Sequence, residues 1–281
     1  LFVLLIIINN YTMFKHVLLY PCGLGQLKWG LHVSPLYLKQ MLCKQSHIIS
    51  RVNTLEYNTI EDNLKNLYKS VVAIEEPVLT IGGDHSQSIA TVQGSICKEP
   101  ATKVLWIDAH ADINTYTSSF TKNIHGMPLS VLTGLDETLQ FTYANRLLDF
   151  ANIFYIGIRD LDEYEENILQ ENNISHVTSK DIHSNFSESI TKITNFISDS
   201  PLHISLDVDV LDPRFMYCTG TKVDNGLTIN QLYVILKLFK YNPIVGMDLT
   251  EFNLYIGNKK QKHLSLKNLS YLLKDYVKIS Y

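Results

Sequence analysis

Along this chain of 281 residues, short apolar runs alternate with segments of helical period. Residues 15–20, 78–81, 104–107, 153–158, 202–206 and 244–247 are runs rich in Val, Ile, Leu and aromatic side chains. They are too short for helices and not strictly alternating, which is the pattern of strands buried on both faces. Between them, Ile60, Leu64, Leu67, Val71 and Ile74 share one helical face after a Thr59–Asp62 cap, and Pro77 ends that helix. Ile190, Ile193, Phe196 and Ile197 mark a second amphipathic helix over 187–197. Further helices are expected over 34–42, with Pro35 in its first turn, and over 86–92, 129–132, 163–171, 230–239 and 266–277. Strand and helix alternate at about one pair per 30 residues, with no Pro/Gly/Ser-rich linker, internal repeat or low-complexity segment. That predicts a single three-layer α/β/α domain around a mostly parallel, doubly wound sheet.

Residues 1–8 form an unbroken apolar run. It falls short of the roughly 20 residues a spanning helix needs, and no basic residue precedes it as in a signal peptide. Residues 1–12 are therefore expected to be an upstream extension and 13–281 the domain. Hydrophobic content of 46% with 19% charged residues excludes disorder, and a net charge of −4 gives no reason to expect nucleic acid as a partner. The four cysteines, Cys22, Cys43, Cys97 and Cys218, lie far apart without a Cys-x-x-Cys pair. No zinc knuckle is implied, and a reduced, cytoplasmic location without membrane association is expected.

Chemistry gathers at the ends of the apolar runs. The run 104–107 leads into Asp108, His110 and Asp112, which an extended backbone would turn to one side. The run 202–206 ends in Asp207 and Asp209, the run 78–81 in Gly82-Gly83-Asp84-His85, and the run 244–247 is followed by Glu251. In a doubly wound sheet the ligand crevice lies outside the carboxyl ends of the strands, so these residues point to one pocket. Carboxylates with neutral imidazoles suit manganese, iron or zinc. Two histidines and four aspartates exceed what one four-coordinate ion needs, and bridging by Asp108 and Asp207 would hold two ions about 3.5–4 Å apart. Such a pair makes hydroxide available near neutral pH, and no Ser-His-Asp or Cys-His arrangement competes as nucleophile. His125, in a loop entering a helix, could move protons, and Glu251 could pair with a guanidinium. The loop Gly23-Leu24-Gly25-Gln26 lacks phosphate-binding spacing and reads as a plain strand-to-helix turn.

Six blocks in order carry a family likeness: Gly82-Gly83-Asp84-His85-Ser86, Asp108 to Thr115, Asn123-Ile124-His125-Gly126-Met127-Pro128-Leu129, Gly157-Ile158-Arg159-Asp160-Leu161-Asp162, Asp207 to Pro213 and Gly246 to Asn253. The chain resembles the ureohydrolases, and among them the arginases. The resemblance implies two Mn²⁺ per subunit, one held by His85, Asp108, Asp112 and Asp207, the other by His110, Asp108, Asp207 and Asp209. It implies hydrolysis of L-arginine to urea and ornithine by a bridging hydroxide that Asp112 orients, with His125 relaying the proton. Glu251 and Thr221 would hold the guanidinium, Asn114 and Thr121 the α-carboxylate, and Asp162 and Glu165 the α-amino group. A trimer or hexamer is the implied assembly. Departures fall in the outer pocket: Thr121-Lys122 stands where arginases usually have Ser-Gly, Lys222 where Pro is common, and Phe252 and Leu254 follow Glu251. Lys122 could select for added negative charge, so an agmatinase, guanidinobutyrase or formimidoylglutamase is the alternative, and a catalytically weak regulatory homologue a further one.

Overall fold

The computed structural model describes residues 13–42, 48–52, 59–139, 141, 143 and 146–277. The expected extension over 1–12 lies outside the described residues.

Eight strands form one sheet: β1 (His16–Leu19), β2 (Ile48–Arg51), β3 (Val78–Ile81), β4 (Lys103–Ile107), β5 (Ile153–Ile158), β6 (Ser175–Thr178), β7 (Leu202–Asp207) and β8 (Ile244–Thr250). Their order is β2-β1-β3-β8-β7-β4-β5-β6, and every neighbouring pair is parallel. The chain thus steps from β1 out to the edge strand β2, comes back past β1 to β3, crosses to β4, steps out through β5 to β6, and returns through β7 to insert β8 between β3 and β7. That places the carboxyl ends of β3, β8, β7 and β4 side by side at the centre, the crevice where such sheets hold ligands.

The strand pleat divides the core. Leu105 and Ile107 join one buried cluster with Leu79, Ile81, Ile204 and Leu206, against residues of α1 (Ser34–Leu42), α6 (Ser179–Ser184), α7 (Phe186–Ile197), α8 (Ile229–Leu238) and α9 (Lys259–Leu273). Val104 and Trp106 face the other way, toward Val92 and Ile96 of α3 (Ser88–Lys98), Leu129 of α4 (Pro128–Thr133) and Ile168 of α5 (Glu163–Glu171). Leu64, Leu67 and Val71 of α2 (Ile60–Val72) pack on that same side through Leu18 and Ile89. Alternate residues of one strand serving two helical layers produce the three-layer sandwich.

Several elements differ from expectation. The edge strands β2 and β6 and the short α6 were not anticipated; β2 reads exposed-intermediate-exposed-exposed and β6 is Ser-His-Val-Thr, so neither carries an apolar run. The last helix starts at Lys259, seven residues before the expected 266. Asn258 caps it by accepting the N–H of Gln261, whose side chain returns to the Asn258 N–H, and this polar first turn hid it from apolar periodicity. In α3 the helix begins at Ser88, after a 3₁₀ turn over His85–Gln87. Thr59 caps α2 by accepting from the Asp62 N–H, as expected. Among the described residues, no helix is long and apolar enough to cross a membrane.

Candidate metal centre

Four strand ends supply the centre. β3 ends two glycines and Asp84 before His85, β4 runs into Asp108, β7 ends at Asp207, and β8 stops one residue before Glu251. Asp108 and His110 follow β4 through a bend, held by the Asp108 side chain accepting the His110 N–H (2.8 Å), while Asp207 accepts the Asp209 N–H in the same way (2.8 Å). Asp112 does not arrive by extended backbone as the period of two suggested: it sits in the left-handed region at φ 50°. Glu251 does the same at φ 63°. Non-glycine residues held there mark a constraint imposed by the surrounding structure, often at functional sites.

Nδ1 of His85 lies 3.0 Å from Asp108 Oδ2, 2.9 Å from Asp112 Oδ2 and 3.4 Å from Asp207 Oδ2. Nδ1 of His110 lies 3.4 Å from Asp108 Oδ1 and 3.3 Å from Asp209 Oδ2. Two ligand groups result, His85 with Asp108 and Asp207, and His110 with Asp108 and Asp209, and Asp108 belongs to both. The His85 ring is fixed by stacking on Trp106, centroids 4.1 Å apart and planes within 10°.

The electrostatics of the protein alone point to cations. Burial and the charges of Asp209 and Asp108 push the Asp207 carboxyl well up, and burial with the Asp108 charge pushes Asp112 up to about 6. Burial works against the Asp108 charge too, but the imidazoles of His110 and His85 beside it outweigh burial and hold its carboxyl low. Nδ1 of His85 and Oδ2 of Asp108 are buried without a hydrogen-bond partner among the described residues. Unpaired ligand atoms of this kind, facing each other among crowded carboxylates, fit divalent cations as the missing partners. By ligand type they suit a borderline-hard ion.

A cavity of ≈330 Å³ opens onto the centre. Its wall includes five of the six residues expected at the substrate, Asn114, Thr121, Asp162, Glu165 and Thr221, but not Glu251, along with His110, Asp112, His125 and Asp207. Asp162 and Glu165 form the capping box of α5, and Asn114 Nδ2 donates to Asp162 Oδ2 (2.7 Å). Burial, aided by the charges of Asp112 and Asp162, pushes the Glu165 carboxyl up to about 8. Thr221 donates its hydroxyl to Asp209 Oδ2 (2.9 Å), so it braces a ligand carboxylate as well as lining the cavity. Glu251 lies behind the wall, fully buried. Its Oε1 is 3.2 Å from His125 Nδ1 and accepts the His85 backbone N–H (3.0 Å).

Sequence reasoning missed Gln26, Ser119, Phe120 and Asp160. Gln26 Nε2 donates to both oxygens of Glu251 (2.7 Å each) and lies 3.3 Å from His125 Nδ1. The loop read as a plain turn is therefore a wall of the centre: Asp84 accepts the Gly25 N–H (2.8 Å), Gly25 O accepts the His125 N–H (3.2 Å), and a side chain at Gly25 would run into Asp84. The usable signal was topological, since β1 pairs with β3 and its carboxyl end must lie beside that of His85. Ser119, Phe120 and Asp160 line the cavity, and Asp160 Oδ2 is 3.6 Å from His110 Nε2. Lys122 is absent from the wall: its ammonium donates to the carbonyls of Tyr116 and Thr117 (2.5 and 3.2 Å).

The model of the Arginase family matches residues 29–270. The chain belongs to the arginase family. It is 35% identical to the arginase of Schizosaccharomyces pombe over 250 residues, covering 86% of this chain and 77% of that protein. Among solved structures, it is similar to the Entamoeba histolytica arginase in complex with L-ornithine, with a TM-score of 0.83 and 26% identity, over 92% of this chain and 99% of the other. Bacillus subtilis arginase gives a TM-score of 0.81 at 25% identity, over 94% and 98%. The chain is thus an arginase-type ureohydrolase, and its clustered His and Asp side chains stand where that family's binuclear metal centre is implied.

Proposed function

We propose that this arginase-family protein hydrolyses L-arginine to urea and L-ornithine with two Mn²⁺ per subunit. The observation that carries the choice of substrate is the acidic wall of the cavity: Asp160 and Asp162 line it beside Asp112, Glu165 and Asp207, whose raised carboxyls a cation would draw to their charged form, and no described lysine or arginine does. A cavity with that wall favours a substrate cationic at both ends over an acidic formimino compound. Lys122, the one residue that suggested a preference for negative charge, spends its ammonium on its own loop.

His85, Asp108, Asp112 and Asp207 would hold one ion, and His110, Asp108, Asp207 and Asp209 the other. Together the ions would lower the pKa of water enough to supply hydroxide near neutral pH. Asp162 and Glu165 take the α-ammonium, with Asn114 and Thr121 at the α-carboxylate. Thr221 reaches the guanidinium end from the cavity wall; Glu251 acts there from behind His125, through the proton it keeps on that ring. Although burial opposes its charge, the Glu251 carboxylate pushes His125 up to about 9, so at neutral pH the imidazolium stands ready to protonate the departing amine.

The test is urea release from L-arginine and agmatine, and formamide release from formimidoylglutamate, by purified protein with and without Mn²⁺, with His125→Ala and Asp112→Ala alongside. Manganese-dependent turnover of arginine, lowered at least about 10²-fold in both variants, is expected. Preference for either rival substrate would sink the arginine reading.

A further inference from the structure

We propose that Asp248 is a positioning residue for the metal-facing nitrogen of His85, acting through a one-way chain of hydrogen bonds across the Ser205 and Ser88 hydroxyls. This inference rests on the reading that His85 holds a metal ion.

The direction of the chain follows from counting protons. Nδ1 of His85 faces Asp108, Asp112 and Asp207, so with a cation there its lone pair is engaged and Nε2 carries the hydrogen. Nε2 is 2.9 Å from Ser205 Oγ, which must accept. Ser205 Oγ is 2.9 Å from Ser88 Oγ, and Ser88 is 2.9 Å from Asp248 Oδ2, an acceptor only. A hydroxyl has one proton to give; Ser88 gives its proton to Asp248, so Ser205 gives its own to Ser88. The order His85 to Ser205 to Ser88 to Asp248 is the one arrangement that satisfies every member.

The terminus is built for this. Asp248 is fully buried on β8, and the same Oδ2 accepts from Thr91 (2.6 Å) and is 3.1 Å from His203 Nε2, while Oδ1 has no partner among the described residues. A buried carboxylate with one oxygen unpaired is a poor choice for packing, where an apolar side chain would serve. As the end of a relay it makes sense: a carboxylate behind a ligating histidine fixes the tautomer and strengthens the ligand, normally by direct contact. Here β7 and α3 each contribute one hydroxyl to span the distance.

The experiment is Mn²⁺ titration of the full chain, with free Mn²⁺ read by electron paramagnetic resonance. Ser88→Ala removes one hydroxyl without altering the ligands, and about a tenfold weaker dissociation constant for one of the two ions is expected. Ser205→Ala should weaken the same ion, and the double variant should bind no worse than Ser205→Ala alone, because either change cuts the same chain. Asp248→Asn should weaken that ion at least as much as Ser88→Ala. Thr91→Val removes a donor to the same Asp248 oxygen but lies outside the chain, and its affinity should equal wild type. Wild-type affinity in Ser88→Ala or in Asp248→Asn, or equal weakening in Thr91→Val, would overturn the relay while leaving the metal reading intact. A wild-type protein that takes up no Mn²⁺ would bring down both.

Discussion

Nδ1 of His125 lies 3.2 Å from Oε1 of Glu251, an oxygen that also accepts the His85 backbone N–H and the Gln26 amide. Three donors on one buried oxygen keep Glu251 ionised, below its ordinary range despite its burial. The imidazole in turn is pushed up to about 9 against the pull of burial, chiefly by Glu251 with help from Asp112 and Asp84. A histidine raised above its unfolded value of about 6.5 adds stability that is fully present below that pH and is lost as pH rises through about 9. Glu251→Gln should therefore move the His125 titration to lower pH, followed by histidine NMR. The alkaline limb of the activity profile should move with it. A titration unchanged in the variant would show that Glu251 does not hold that proton.

Glu165 is raised too, by burial rather than by an oppositely charged partner, and its contribution has the same sign. Its carboxyl, ordinarily near 4.5, is pushed up to about 8 by burial and by the charges of Asp112 and Asp162. The folded state therefore holds a proton that the unfolded state releases, and stability present below about pH 4.5 is lost as pH rises through about 8. Glu165→Gln cannot ionise, so relative to wild type it should gain on the order of 1–3 kcal/mol between about pH 5 and about pH 8.5. Urea unfolding at the two pH values measures the difference, and equal slopes against pH in both proteins would refute it.

The strands buried on both faces were readable because their apolar runs carry their own signature. β5 and β7, buried from end to end, are the clearest. The edge strands β2 and β6 were not, because an edge strand on the rim of a sheet has too little apolar surface to mark it. The same logic divides the centre. Aspartates and histidines at the ends of apolar runs announce themselves in one dimension, so His85, Asp108, His110, Asp207 and Asp209 could be singled out as a group. Gln26 could not: an amide directly after a glycine has no distinguishing chemistry until β1 is laid beside β3 and its loop folds over Glu251. The left-handed backbone at Asp112 and Glu251 was equally hidden, since neither residue type demands it.

Lys122 is also left-handed, at φ 59°, and its side chain lies over the Tyr116 ring with the ammonium bonded to the Tyr116 and Thr117 carbonyls. The ammonium thus closes the loop that carries Ser119, Phe120 and Thr121. Lys122→Ala keeps the strained backbone and removes the clasp, so about 1 kcal/mol of destabilisation is expected. Lys122→Gly relieves the strain as well, by up to about 1 kcal/mol, and should be nearly neutral. In neither variant should the ratio of activity on arginine to that on an acidic formimino substrate change more than about twofold. A shift toward the acidic substrate in wild type that disappears in Lys122→Ala would place the ammonium in recognition after all.

Metal removal should expose what the crowded carboxylates cost. Without cations, Asp207 stands among Asp108 and Asp209 with its carboxyl driven upward, and Asp112 is raised as well. An ion that binds the folded chain and not the unfolded one stabilises it by mass action, about 2.7 kcal/mol at a concentration one hundred times its dissociation constant. Protein stripped with a chelator should therefore unfold at a lower temperature, lose urea release, and recover both on adding Mn²⁺ in excess. Because the ligands must shed protons to bind, uptake should release protons and weaken as pH falls, which a calorimetric titration in buffers of different ionisation enthalpy would count. Asp108→Ala removes a carboxylate that belongs to both ligand groups, so its melting temperature should no longer respond to Mn²⁺. A variant that still gains stability from the metal would place the ions elsewhere in the chain.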